Sequence, residues 1–301
     1  MRSLLLKEFD KQKWAYIFIA PALLIFFTFL IIPVFVSLYW SFTEYNILQP
    51  PHFVGLKNYA TILFQDARFW KALSNTIIYV AGTVPTSIAI ALLIALAIDQ
   101  NIRFKNWYKT FFFIPSITCI VAVAVIWKWL YSSGKYGLLN HMLSAIGLSP
   151  VEWLGLKWSL PSIIIMSVWG GLGYNMILFL AGLQGIPQVF YEAAEVDGAS
   201  EWDKFKNITL PLLRPTMFFV IVMSIISSFQ VFEQVYIMTY SSEGAVGGTL
   251  DCALTIVAYL YETGFQRFSM GYASALAYLI FIFLFIVTLI NIKLVEKKVE
   301  Y

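Results

Sequence analysis

The chain has 301 residues, of which 60% are hydrophobic and only 12% are charged, and its mean hydropathy is +0.76. This composition excludes an ordinary water-soluble domain and is typical of a polytopic membrane protein. The net charge of +3 comes without a basic stripe interleaved with stacking aromatic residues, so it does not indicate a nucleic-acid partner.

Six apolar stretches are long enough to cross a bilayer, because about 20 apolar residues span a hydrocarbon core of roughly 30 Å. They cover residues 15–40, 72–98, 107–131, 159–183, 214–240 and 272–294. Each must be helical, since backbone amides in lipid have no water to bond. The first stretch is longer than a signal-peptide core, so we expect a retained helix. The sequence therefore predicts an all-α protein with six transmembrane helices.

Small residues inside these stretches are expected to let helices approach one another closely. They are Gly82, Gly170, Gly171 and Gly173.

Basic residues predict the orientation, because cytoplasmic loops carry an excess of Lys and Arg. One predicted face holds most of them: Arg2, Lys7, Lys11, Lys13, Arg103, Lys105, Lys109, Lys204, Lys206, Arg214, Lys293, Lys297 and Lys298. The other face and the helix ends hold Lys57, Arg68, Lys71, Lys128, Lys135, Lys157 and Arg267. We therefore expect a cytoplasmic N-terminus (1–14), a membrane domain (15–294) with a cytoplasmic loop at 184–213, and a cytoplasmic C-terminus (295–301).

Several kinds of chemistry have no motif in this chain. No G-x-x-x-x-G-K-[ST] pattern occurs, so no P-loop for ATP is predicted. His52 and His141 lie in separate loops without Cys partners at ligand spacing, and Cys119 and Cys252 are not expected to form a disulfide or a metal site. No catalytic triad or carboxylate pair gathers at one membrane depth. We predict neither a cofactor nor an enzyme.

The loop at 184–213 contains residues that typically begin and end helices, and they predict two short helices. Pro187 suits a first helical turn, and the spacing of Val189, Ala193 and Val196 predicts a helix over 188–196 with those residues on one face. Gly198 suits a left-handed helix end.

A second short helix is predicted to begin at Ser200, because Asp203 three residues later completes a capping box. Pro211 is expected to stop this helix. Two helices around a glycine bend would form a compact knob for a partner. Spacing alone leaves a second interpretation equally open, in which the acidic residues merely keep an interfacial loop soluble.

Several segments of the sequence resemble those of a known protein family. Glu192-Ala193-Ala194, with Asp197-Gly198-Ala199 and then Ile208-Thr209-Leu210-Pro211, is similar to the EAA coupling loop of ATP-binding-cassette importer permeases. Further matches cover nearly the whole chain: Phe53-Val54-Gly55-Leu56 with Asn58-Tyr59, Phe69-Trp70 with Asn75-Thr76, Tyr136-Gly137-Leu138-Leu139-Asn140, Phe179 to Pro187, and Phe229-Gln230-Val231-Phe232. These resemble the first permease subunit of the maltose and glycerol-3-phosphate type, in its plain six-helix form.

The resemblance implies a type I importer permease with both termini cytoplasmic, in a bacterial or archaeal inner membrane. It implies a second homologous permease, a cytoplasmic ATPase dimer and an extracytoplasmic solute-binding protein as partners, besides the lipid bilayer. The residues that it assigns to ATPase coupling are Glu192, Ala193, Ala194, Asp197, Gly198, Ile208, Leu210 and Pro211. The transported solute would be a sugar or a related compound.

Glu233 is an acid within an apolar segment, where a charge costs about 2.5–3.5 kcal/mol at a helix centre. It is expected either to face a wet cavity or to reach the headgroups. Phe229, Glu233 and Tyr236 would share one face of the fifth helix. With Trp169, Tyr174 and Asn175 on the fourth helix, they supply the aromatic and polar groups that sugar sites use. We predict that these six residues line the substrate pathway.

Two other classes of membrane protein remain as alternatives. A secondary transporter commonly has internal repeats and ionisable groups near the midplane, and neither is visible in this sequence. A channel-forming or purely structural subunit is the second alternative. Neither class predicts a two-helix cytoplasmic knob.

Overall fold

The computed structural model describes residues 14, 16–100, 102–134, 137–240 and 246–296, with side chains described as far as residue 293. Several predictions lie outside the described residues. They concern the basic residues Arg2, Lys7, Lys11, Lys13, Lys135, Lys297 and Lys298, and the motif residue Tyr136.

The described chain is mostly helical. The first half contains α1 (Tyr16–Ser41), β1 (Thr43–Glu44), β2 (His52–Phe53), α2 (Lys57–Phe64), α3 (Ala67–Asp99), α4 (Lys105–Ile117), α5 (Ile120–Leu130) and α6 (Leu138–Ala145). The second half contains α7 (Ser159–Gln184), α8 (Gln188–Val196), α9 (Glu201–Leu212), α10 (Arg214–Phe229), α11 (Glu233–Thr239), α12 (Ile256–Tyr261) and α13 (Met270–Glu296). Single π turns widen α1 at Phe27–Ile31 and α9 at Phe205–Thr209.

Four of these helices, α1, α3, α7 and α13, are long and apolar enough to cross a membrane by themselves. Two further pairs pass the same test when combined, although each is bent: α4 with α5 by 94°, and α9 with α10 by 64°. Counting each bent pair once gives six apolar spans by length and composition in the described part of the chain, and in the second pair most of the charged residues lie in α9 and the apolar run lies in α10. The all-α, multi-pass prediction is confirmed.

The third predicted span is not one continuous helix. Helix α4 ends at Ile117, Thr118 and Cys119 are extended, and α5 then leaves at a sharp angle. Pro115 stands in the last turn of α4, where its ring removes a backbone donor and weakens the helix. The Ser116 hydroxyl donates to the Gly170 carbonyl (2.8 Å) of α7, which fixes this end of α4 against its neighbour.

The prediction of one helix over 214–240 is also wrong. Helix α10 ends at Phe229, and α11 begins only at Glu233. An unwound stretch exposes carbonyls that need partners at membrane depth. Here the Thr255 hydroxyl donates to the Val231 carbonyl (3.1 Å), so a side chain from a distant segment stabilises the break.

The described part of the chain divides into two compact units, one comprising the described residues up to 65 together with 263–279, and the other the described residues of 66–262 and 280–296. In the first unit β1 and β2 pair in antiparallel fashion, with Thr43 opposite Phe53. The Asn58 amide donates to the carbonyls of Ser41 (3.0 Å) and Thr43 (2.9 Å). Gly271 fits against the Thr43 carbonyl because it has no Cβ, which would lie 2.0 Å from that oxygen.

The second unit is built around α3 and α7. Ala91, Ala95, Met176 and Phe179 are buried in its core, together with Leu213 at the start of α10. Small residues do allow close contacts: a Cβ on Gly173 would lie 2.3 Å from the Phe112 carbonyl oxygen of α4. Gly170 and Gly171 instead leave open space beside α7.

An ion-pair cluster, the Arg68 clasp, fastens the segment before α13 to the start of α3 within this second unit. The Arg68 guanidinium donates to both carboxylate oxygens of Asp251 (2.8 and 2.7 Å) and to both of Glu262 (2.9 and 3.1 Å). Asp66 caps α3 and accepts a hydrogen bond from the Tyr259 hydroxyl (2.6 Å). Bidentate contacts of this kind fix the orientation of the guanidinium and the carboxylates as well as pairing their charges.

Candidate functional site

Residues Gln188–Leu212 form a two-helix knob, as the sequence predicts. Helix α8 spans Gln188–Val196, and Pro187 lies directly before it. Gly198 has φ = +76°, its N–H donates to the Glu195 carbonyl (3.1 Å), and the Ala199 N–H donates to the Ala194 carbonyl (2.9 Å). This pair of bonds is the Schellman ending that a left-handed glycine permits.

The second helix of the knob also begins as predicted. The Asp203 N–H donates to the Ser200 hydroxyl oxygen (3.2 Å), and the Asp203 carboxylate accepts from the Ser200 N–H (3.2 Å). The same serine hydroxyl donates to this carboxylate, and these bonds lower the pKa of Asp203. The capping box is therefore complete.

Pro211 does not stop this helix, contrary to the prediction. Helix α9 continues to Leu212 and turns sharply only around Leu213. The π turn ends at Thr209, and the Leu210 N–H donates five residues back to the Phe205 carbonyl. Widening the helix before the proline relieves the crowding that its ring would otherwise cause.

Apolar side chains on α8 and α9 remain uncovered. Val189, Val196 and Trp202 are 69%, 89% and 68% exposed, and Phe190 is exposed as well. Glu192, Ala193 and Asp197 lie on the surface beside them, whereas Ala194 is half-buried. Exposed apolar patches of this kind mark contacts with another protein or with a membrane.

The other end of the knob is anchored to the core of the second unit. Ile208 and Tyr191 pack against the cluster that contains Leu213, and Leu210 and Pro211 are half-buried. The Tyr191 and Thr209 hydroxyls lie 2.9 Å apart in a hydrogen bond. Of the eight predicted coupling residues, four are exposed (Glu192, Ala193, Asp197, Gly198) and four are half-buried (Ala194, Ile208, Leu210, Pro211).

Lys204 joins the two helices of the knob from inside. Its side chain is only 9% exposed, and its Nζ lies 2.9 Å from Glu195 Oε1 on α8 and 2.5 Å from Glu201 Oε1 on α9. Hydrogen bonds to Glu201 and Glu195 raise the pKa of this lysine. The sequence predicts only a basic residue at Lys204, because nothing in the local spacing shows that it is buried.

A second candidate site is a polar cavity of about 270 Å³ within the second unit. Apolar atoms form the larger part of its accessible surface, but most lining residues carry a hydroxyl or an amide: Tyr79, Thr83, Ser87, Ser167, Tyr174, Asn175, Ser224, Ser227, Ser228 and Gln234. Asn175 donates to the hydroxyls of Ser87 (3.1 Å) and Ser224 (3.5 Å). No Lys, Arg, Asp or Glu of the described residues lines this cavity.

Some polar atoms in this wall are buried without a hydrogen-bond partner. They are Thr83 Oγ1, Ser167 Oγ and Gln234 Oε1, and the first two lie near the Tyr79 phenol without bonding to it in ordinary geometry. Buried polar groups normally find a protein or water partner. These three atoms lie behind the accessible surface of the wall.

Of the six predicted pathway residues, Tyr174 and Asn175 line this cavity and the other four lie elsewhere. Trp169 packs on Trp127 with ring centroids 5.7 Å apart, and Phe229 is buried against Phe283 at 5.2 Å. Tyr236 stacks on Tyr240 at 4.9 Å.

Glu233 is exposed in the first turn of α11. Phe229, Glu233 and Tyr236 do not share one helical face, because the helix is interrupted between the first and the second of them.

Comparison with known proteins agrees with this architecture. Residues 67–301 match the family model described as "Binding-protein-dependent transport system inner membrane component". The chain is 37% identical over 289 residues to "Probable ABC transporter permease protein YesP" of Bacillus subtilis, covering 95% of this chain and 91% of the relative. It is 33% identical to "Arabinooligosaccharides transport system permease protein AraP" of the same organism, with 95% and 90% covered.

A solved structure shows the same fold. The crystal structure of a bacterial ABC transporter involved in the import of the acidic polysaccharide alginate contains a chain with a TM-score of 0.83, 27% sequence identity and coverage of 98% of this chain and 99% of that one. The likeness over nearly the full length of both chains establishes the type I importer permease fold. This chain belongs to the family of binding-protein-dependent transport system inner membrane components and is a multi-pass membrane permease.

Proposed function

We propose that this chain is one permease subunit of an ATP-driven carbohydrate importer and that the knob binds a cytoplasmic ATPase. The observation that supports this best is the exposed apolar patch of α8 and α9 on a knob anchored to the hydrophobic core of the second unit. The chain has no P-loop in its sequence, so the power for import must come from another subunit. A second permease and an extracytoplasmic binding protein complete the assembly.

A single substitution tests the docking role of the patch. Val189→Asp places a charge on the exposed surface near the start of α8, where an acid does not disturb the helix. Burying that charge unpaired in an interface should reduce co-purification of the ATPase about ten-fold or more. Gln188→Asp, at the neighbouring exposed position, should leave it unchanged. Equal recovery of ATPase with both variants would contradict docking through this face.

The polar cavity is the proposed passage for the solute. Sugars present many hydroxyl groups, and the wall offers hydroxyls and amides that exchange hydrogen bonds with them. An uncharged wall favours a neutral carbohydrate, because an anion entering it would lose its hydration without gaining a cation. Relatives with named sugar substrates, such as the arabinooligosaccharide permease, support this substrate class.

Uptake measurements distinguish this passage from the one predicted by the sequence. Asn175→Leu should lower sugar uptake about ten-fold in proteoliposomes, since a lost buried hydrogen bond costs about 1–3 kcal/mol. Glu233→Gln and Tyr236→Ala should change uptake little, because both side chains lie outside the cavity. If only the latter two variants were impaired, the passage would run along α11 instead. Protein levels in the membrane serve as the control for each variant.

A further inference from the structure

Lys204 is buried although the knob around it is exposed. Its ammonium contacts two carboxylates that reach water, since the side chains of Glu195 and Glu201 are 63% and 91% exposed. A solvated surface lysine would gain little from such pairs. A buried ammonium, in contrast, needs its partners, and removing either side leaves a charge uncompensated.

The two ion pairs of Lys204 connect different parts of the knob. Glu201 and Lys204 are three residues apart on α9, so their pair only supports one helix turn. Glu195 is the penultimate residue of α8, so its pair with Lys204 connects the two helices across the Gly198 bend. The glycine bend alone would leave the angle between α8 and α9 free to change.

The chain itself runs from this pair to the cavity. Helix α9 runs into Leu213, which is 1% exposed, and α10 continues from it. Ser224, Ser227 and Ser228 of α10 line the polar cavity. A displacement of α8 therefore reaches α10 through α9 only if α8 and α9 move together.

We propose that Lys204 is a positioning residue that makes the two helices of the knob one rigid lever between the ATPase and α10. The proposal rests on the proposed function, since it assigns an internal part of the coupling element. Of the two ion pairs of Lys204, only the one with Glu195 joins α8 to α9, whereas the pair with Glu201 lies within α9. Tyr191 and Thr209 provide a second link between the helices, so the knob remains folded when the first is lost.

The experiment reconstitutes the complete transporter in proteoliposomes and measures sugar transported per ATP hydrolysed. Lys204→Met should reduce this ratio about five-fold or more while the ATPase still co-purifies. Glu195→Gln should lower this ratio as much as Lys204→Met does, and Glu201→Gln should lower it much less. Lys204→Arg keeps the positive charge, so its ratio should be close to that of the wild type. The double variant Lys204→Met with Glu195→Gln should be no worse than Lys204→Met alone. Lys206→Met, an exposed lysine on the same helix, is the matched control.

The outcomes separate this inference from the proposed function. A wild-type chain that binds no ATPase and transports no sugar would contradict the proposed function itself. A wild-type complex that couples, with Lys204→Met and Glu195→Gln coupling equally well, would overturn only the role of Lys204. Equal losses in Glu195→Gln and Glu201→Gln would overturn it too, because they would indicate local helix support instead of a link between helices. Should Lys204→Met fail to accumulate, Glu195→Gln decides the matter, since its side chain is largely exposed.

Discussion

Gly173→Ala is expected to destabilise the protein severely. The added Cβ would lie 2.3 Å from the Phe112 carbonyl oxygen and 2.7 Å from Phe113 Cα, both of which belong to the backbone of α4. Backbone atoms cannot move aside as a flexible side chain does, so α4 and α7 must separate. Overpacking of this kind costs about 3 kcal/mol. The apparent melting temperature in detergent should fall by roughly 5–10 °C, as fluorescence-detected size-exclusion chromatography would show.

Two neighbouring glycines on the same helix provide the control for this prediction. A Cβ on Gly170 meets nothing within 4 Å, and one on Gly171 meets only Ser87 Oγ at 3.7 Å. Alanine favours helix over glycine by about 0.5–1 kcal/mol, so Gly170→Ala and Gly171→Ala should be neutral or slightly stabilising. Equal melting temperatures for all three variants would mean that α4 does not pack against Gly173 as described.

Gly198→Pro is expected to abolish ATPase association without preventing membrane insertion. Proline fixes φ near −65°, whereas Gly198 has φ = +76°, and the substitution also removes the N–H that bonds the Glu195 carbonyl. The bend between α8 and α9 must then change, and the exposed apolar patch is dispersed. Co-purified ATPase should drop at least about ten-fold, measured against the amount of permease in the membrane fraction.

The same position provides the matched control for the bend. Asparagine enters the left-handed region at modest cost, so Gly198→Asn should keep the bend and most of the ATPase association. A Cβ at this glycine meets nothing within 4 Å, so only the backbone conformation distinguishes the two variants. Strong association in Gly198→Pro would show that the knob does not need this bend.

The local structure of the knob was predictable because short-range chemistry decides it. Gly198 ends α8, and Ser200 with Asp203 begins α9, through bonds that span no more than five residues. The position of the final bend was not predictable in this way. Pro211 has the chemistry of a helix stop, yet a π turn and the burial of Leu213 move the bend beyond it.

The pathway residues were harder to predict because they depend on contacts between distant segments. Asn175 and Tyr174 were found from their chemistry, and the cavity contains both. Phe229 and Glu233 were grouped by assuming one helix, but the Thr255 hydroxyl stabilises a break between them. Since residues 231 and 255 meet only in the folded chain, periodicity within one segment could not reveal the interruption.

The sequence by itself determined the all-α class, the number of apolar stretches, the family and the two-helix form of the knob. Those features follow from hydropathy, from helix-ending residues and from a motif that is contiguous in the chain. Only the tertiary structure decided which helices are broken, which polar groups share one cavity and which lysine is buried. Each of these depends on the burial of a group by residues far away in sequence, and burial determines whether a hydroxyl or an ammonium must find a partner.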